Sequence, residues 1–117
     1  MSLNLYGLKS CDTTRKAMKW LEAHNIAFTF LDVRENPPSS EDLLHAMENG
    51  IASKRLWNIS GGAYREGGFK DKAKTMSQEE IAQTIASNSM LLKRPFIATE
   101  SAYLVGFVED EYASALI

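Results

Sequence analysis

The chain's one cysteine, Cys11, stands where a strand-like run gives way to a helix-like one, in Leu5-Tyr6-Gly7-Leu8-Lys9-Ser10-Cys11-Asp12-Thr13-Thr14-Arg15-Lys16. A helix N-terminus presents unpaired N–H groups and a partial positive charge, and both favour thiolate, the reactive form of cysteine. A thiol with an ordinary pKa of about 8.5 can become a nucleophile at neutral pH in such a place. The other fate of a lone free cysteine is to fill core space as a small hydrophobe, and the run by itself leaves both open. Thr13 and Thr14 can donate hydroxyl hydrogen bonds to a sulfur or an oxyanion, or serve only as first-turn residues. Asp12 complements the helix dipole, yet as an anion beside the thiol it opposes ionisation. Ser10 is placed to cap the helix. Lys9, Arg15 and Arg94 are the candidate cations for an anionic substrate, the arginines offering a planar donor fork. Arg94 directly precedes Pro95 at the start of an apolar run.

With no second cysteine, dithiol cycling within the chain, an internal disulfide and an all-cysteine zinc site are excluded by composition. A catalytic Cys11 therefore needs a resolving thiol from outside, for which glutathione or a small redox protein such as glutaredoxin is the economical candidate. His24 and His45 share no metal-ligand spacing with Cys11 or the carboxylates, so no metal and no bound cofactor are expected. The net charge of −2 gives no electrostatic case for nucleic acid or an anionic membrane. No apolar run approaches the roughly 20 residues that span a bilayer, and no basic-then-apolar leader precedes the first strand. An unpaired thiol under those conditions suits a reducing cytoplasm.

The elements that must position Cys11 follow from periodicity. Residues 3–6 alternate as a strand, and along 12–24 Ala17, Met18 and Leu21 recur at helical spacing, flanked by Thr14 and Trp20 and stopped at Asn25. Ile26 to Val33 reads as a second strand, making a βαβ unit with parallel strands. Asn36-Pro37-Pro38 breaks the chain, Ser39 caps a helix over 40–49 with Gly50 after it, and 53–57 forms a helical turn. The glycine-rich Asn58 to Gly68 reads as a surface loop. Ser77-Gln78-Glu79-Glu80 is a capping box opening a helix with Ile81 and Ile85 inward. Residues 93–98 and 102–107 read as an antiparallel pair of strands, and 109–116 as a terminal helix with Tyr112, Ala115 and Leu116 on its apolar side. The expected architecture is one α/β domain over 1–117: a thioredoxin-like fold whose four-stranded mixed sheet is flanked by helices, with a helical insertion at about 39–90.

Tyr6 to Ala17, the Asn36-Pro37-Pro38 break and Leu91-Leu92-Lys93-Arg94-Pro95-Phe96-Ile97 together resemble the ArsC family, in the family's order and over nearly the whole chain. That family contains glutaredoxin-linked arsenate reductases, Spx transcriptional regulators and a YffB-like branch. The resemblance implies a cis proline at Pro95 facing the cysteine. The candidate site is then Cys11 as nucleophile, with Lys9, Ser10, Asp12, Thr13, Thr14, Arg94 and Pro95 about the substrate. Arsenate reductases of this kind pair the cysteine with three arginines, of which Arg94 matches one. The other two positions fall on Asn58 and near Gly106 or Phe107, and each lost charged hydrogen bond removes roughly 1.5–3 kcal/mol. Spx regulators carry Cys-x-x-Cys, and here Thr14 occupies the second position. Leu56-Trp57-Asn58, Gly61, Tyr64-Arg65 and Val105-Gly106-Phe107 look most like the YffB-like branch, which implies a glutathione-dependent thiol reductase. The alternative is an Spx-like module that docks on a protein partner such as RNA polymerase.

Overall fold

The computed structural model describes residues 2–117. Its sheet has four strands, β1 (Leu3–Gly7), β2 (Thr29–Asp32), β3 (Phe96–Thr99) and β4 (Tyr103–Val105), in the spatial order β2-β1-β3-β4. Strand β1 is central: it pairs parallel with β2 and antiparallel with β3, and β3 pairs antiparallel with β4. The mixed, thioredoxin-like sheet expected from the βαβ opening and ββα ending is the one observed.

Side chains alternate across the strands, so the sheet separates two apolar clusters. On one face Leu3, Leu5, Ile97 and Leu104 meet Ala17 and Leu21 of α1 (Asp12–Ala23) and Tyr112 of α7 (Glu109–Leu116). On the other, Tyr6, Leu8, Phe96 and Val105 meet the segment between β2 and β3. That segment holds α2 (Ser40–Glu48), α3 (Ser53–Leu56), α4 (Gly62–Glu66), α5 (Phe69–Lys72) and α6 (Gln78–Ser87), with short 3-10 turns at Ala73–Thr75 and Ser89–Leu91. Ser39 caps α2 by accepting from the Asp42 N–H, and Ser77 with Glu80 completes the reciprocal capping box of α6.

Five local expectations are corrected here. Strand β3 begins at Phe96 and not at residue 93, because the Lys93 N–H donates to Leu56 O and Pro95 has no N–H to give the sheet. Strand β2 begins at Thr29, because the Ile26 N–H donates to Leu21 O and closes the end of α1 instead of entering the sheet. Strand β4 is shorter than 102–107: Ala102 is held in a turn by Thr99, and Gly106 takes a φ of 69° that ends the extended run. The stretch 58–68 is not simply a loop. It contains α4 and leads directly into α5, because Tyr64 and Phe69 pack against the buried Trp57 with ring centroids 5.7 and 5.1 Å away. Along α7, Tyr112 is buried and Leu116 half-buried, but Ala115 faces solvent.

Candidate active site

The first strand ends at Gly7, and the chain turns through Leu8, Lys9 and Ser10 before α1 begins. The Cys11 N–H donates to Leu8 O at 2.9 Å, closing the turn, and the Arg15 N–H reaches Cys11 O at 3.0 Å, opening the helix. Cys11, with extended φ and ψ of −87° and 122°, is therefore the capping residue, not Ser10. This puts the half-buried sulfur beside the free N–H groups of the first turn.

Thr14 lies behind it. The Thr14 side chain is fully buried against Gly7, and its hydroxyl has no hydrogen-bond partner. The Cys11 side chain makes no capping bond of ordinary geometry either. An ionised sulfur, a far better acceptor than a thiol, supplies the partner that these donors lack. Burial opposes the Cys11 thiolate. The Thr14 hydroxyl, the Thr14 and Thr13 N–H groups and the Arg94 charge favour it, and together they prevail, holding the thiol below its ordinary pKa.

Arg94 is half-buried and loosely tethered, one guanidinium nitrogen donating to Leu92 O at 3.4 Å while its buried Nε has no partner. The Arg94–Pro95 peptide is cis. Pro95 is buried, and its carbonyl accepts from the Gly106 N–H at 2.8 Å, bringing the end of β4 beside Arg94.

Other candidates stand elsewhere. The Arg15 guanidinium is taken up by the Asp12 carboxylate and by Lys9 O, at 2.7 Å for the latter. Asp12 is thereby neutralised on the surface instead of opposing the thiolate. Lys9 sits with its ammonium 5.5 Å from the Phe30 ring centre, and with Ser10 it lines a shallow hollow shared with Asp32 and Arg34. The structure thus groups Cys11 with Thr13, Thr14 and Arg94 and leaves Lys9, Asp12 and Arg15 outside.

A cleft of about 370 Å³ opens beside Thr13, walled by Trp57, Ile59, Val105, Gly106, Phe107 and Val108 and carrying Lys54, Arg55 and Lys93. Lys54 and Lys93 were not legible as site residues, because nothing in their spacing links them to each other or to Cys11. Tertiary hydrogen bonds do: the Lys93 N–H donates to Leu56 O and the Asn58 N–H to Leu91 O, both at 2.7 Å. Arg55 lines the same cleft, but its guanidinium donates to Glu111 at 2.9 Å and to Val105 O at 3.2 Å. Arg65 lies in a neighbouring hollow beside Tyr64 and Lys70.

Residues 6–115 match the model of the ArsC family. The chain belongs to the ArsC family. Among the relatives of this chain, the uncharacterized protein YusI of Bacillus subtilis is 41% identical over 96% of each chain. The crystal structure of an ArsC family related protein from Bacteroides fragilis superposes with a TM-score of 0.90, at 34% identity and 97% coverage of both chains. A protein described as a possible arsenate reductase from Streptococcus mutans gives 0.86 at 31% identity, covering 95% of this chain and 97% of that one. Global transcriptional regulators named Spx also align, at lower identity. Against the arginines implied by the ArsC resemblance, the structure places Arg94 near the thiol. Asn58 and Phe107 lie beside or in the cleft without charge.

Proposed function

We propose that this protein is a monothiol oxidoreductase in which Cys11 is the nucleophile and an external thiol, glutathione, resolves the covalent adduct. The observation that carries the reading is the unpartnered, buried Thr14 hydroxyl beside a thiol held below its ordinary pKa. A buried donor left unpaired costs about 1–3 kcal/mol, a cost that ionisation of the sulfur relieves. In the first step the Cys11 thiolate attacks one sulfur of a disulfide. A Cys11–S–S–R bond forms, the old S–S bond breaks, and its electron pair leaves on the second sulfur as a thiolate that takes a proton from water. Glutathione thiolate then attacks the substrate-derived sulfur, a new external disulfide leaves, and Cys11 returns as thiolate. The helix N–H groups, Thr14 and Arg94 stabilise the sulfur anion at the start and end of the cycle.

Arsenate is the weaker candidate substrate. Of three arginines it would draw on, only Arg94 is present, and the nearby Arg55 is already tied to Glu111. The deciding measurement is Cys11 alkylation by iodoacetamide against pH, followed by mass spectrometry after incubation with oxidised glutathione. An inflection below the ordinary thiol range, with one glutathionyl group on Cys11, is expected. An inflection at or above a free thiol's would sink the nucleophile.

A regulatory reading rests on the relatives named Spx. It takes the domain as a module that docks on RNA polymerase, with Cys11 dispensable. Cys11→Ser separates the two readings: activity is lost under the first, and the biological effect survives under the second.

A further inference from the structure

Lys54 and Lys93 are exposed, and neither has a carboxylate partner among the described residues. They stand over one cleft because the chain forms a short two-stranded splice there. Trp57 bridges to Leu92, flanked by the Leu56–Lys93 and Asn58–Leu91 hydrogen bonds. The facing wall is equally fixed. Gly106 packs so that a Cβ there would lie 3.6 Å from Lys93 Cε, and Arg55 and Tyr112 hold the carbonyls of Val105 and Gly106. Arg55 has its charge matched by Glu111, so the cations left for a ligand are the two lysines. Between them the cleft is apolar, with Ile59 60% and Val108 43% exposed at its rim.

We infer that Lys54 and Lys93 are specificity residues that select carboxylate-bearing disulfides over neutral or cationic ones for attack by Cys11, an inference that rests on the thiol-oxidoreductase reading. Lysine is a compact charge on a flexible stem and suits a mobile carboxylate several bonds from the reacting sulfur. A tetrahedral oxyanion bonded directly to sulfur is better matched by the planar donor fork of arginine. Thr13 joins the two parts of the site. Its N–H faces the sulfur and the same residue lines the cleft, so a disulfide held by its carboxylates in the cleft lies next to the thiolate.

The test compares oxidised glutathione, which carries four carboxylates, with cystamine, which carries none and is cationic. Adduct formation on the full chain is followed by mass spectrometry for the wild type and the Lys54→Gln/Lys93→Gln double variant. Each rate is divided by that for neutral iodoacetamide, which reads the thiolate alone. The wild type should prefer oxidised glutathione, and the double variant should lose about tenfold of that preference, the scale of two exposed charge pairs. High salt should reduce the wild-type preference in the same direction. An unchanged preference in the double variant would overturn the inference. So would a shift of its iodoacetamide pH profile, since the lysines would then act on the thiol and not on the substrate. If the wild type has a lowered thiol pKa but reacts with neither disulfide, the thiol-reductase reading falls as well. A lowered pKa with no charge preference removes the lysine role alone.

Discussion

Gly7 and Thr14 occupy each other's space: a Cβ on Gly7 would lie 2.6 Å from Thr14 Cγ2 and 2.8 Å from its Oγ1. The last residue of the central strand is thus cut to the shape of the residue that backs the reactive sulfur. Backbone that ends a strand and a side chain that faces a thiol are fitted as one unit, and Gly7 has no room for a side chain while Thr14 stands there.

Gly7→Ala should destabilise the fold by about 1–3 kcal/mol, the usual cost of forcing an extra methyl into a packed site. It should also raise the Cys11 pKa by displacing the Thr14 hydroxyl. Thr14→Ala in the same chain should recover most of the stability but not the pKa. A denaturant double-mutant cycle measures the coupling, and additive losses would show that the two residues do not compete for space.

Thr14→Val separates stability from reactivity. The hydroxyl has no partner in the resting structure, so replacing it by a methyl of similar shape should leave stability unchanged or slightly higher. The thiolate loses a donor, so the inflection of the alkylation profile should move up towards that of a free thiol. An unshifted profile in the Thr14→Val variant would remove Thr14 from the site.

Tyr112 is fully buried, and its hydroxyl donates to Gly106 O at 2.6 Å. Burial pushes its pKa well above the ordinary value, with Glu111 adding to the shift. The native state therefore favours neutral Tyr112. The stability this gives is complete below the unfolded tyrosine pKa of about 10 and is lost as pH rises from there towards the folded value. Tyr112→Phe should cost about 1–3 kcal/mol at neutral pH by orphaning the Gly106 carbonyl, and should flatten the alkaline loss. Urea unfolding of both proteins at neutral and alkaline pH measures this.

Gly67→Ala should disrupt α4 and α5. A Cβ there would sit 2.3 Å from the Phe69 ring, and the ring stacks on Trp57 with an interplanar angle of 26°. Loss of about 1–3 kcal/mol and a red-shifted Trp57 emission in a Trp20→Phe background are expected. Unchanged emission would mean that the ring adapts.

The mixed sheet, the parallel opening and the serine caps of α2 and α6 could be read from the chain because each is written locally: alternation in β1, Ser39 and Ser77 before their helices. The glycine-rich stretch could not. Gly61 and Gly67 are there because Asn58 and the Phe69 ring lie against them, and Gly68 because its φ is 68°. By residue type alone, all three resemble a flexible connector. The same limit applies at the site. Cys11, Thr14 and Arg94 stood out by type or position, whereas Lys54 and Lys93 meet only through hydrogen bonds between segments far apart in sequence. Asp12 and Arg15 were legible as charges, but their mutual pairing took both out of the site.

The clamp that Arg55 and Tyr112 form on the Val105 and Gly106 carbonyls has a consequence in time. During synthesis Cys11 and its helix leave the ribosome about a hundred residues ahead of Glu111 and Tyr112. A nascent chain can therefore hold Cys11 and its helix before it owns the contacts that give the cleft its shape. The shape of the cleft waits on α7, a helix that carries no nucleophile of its own.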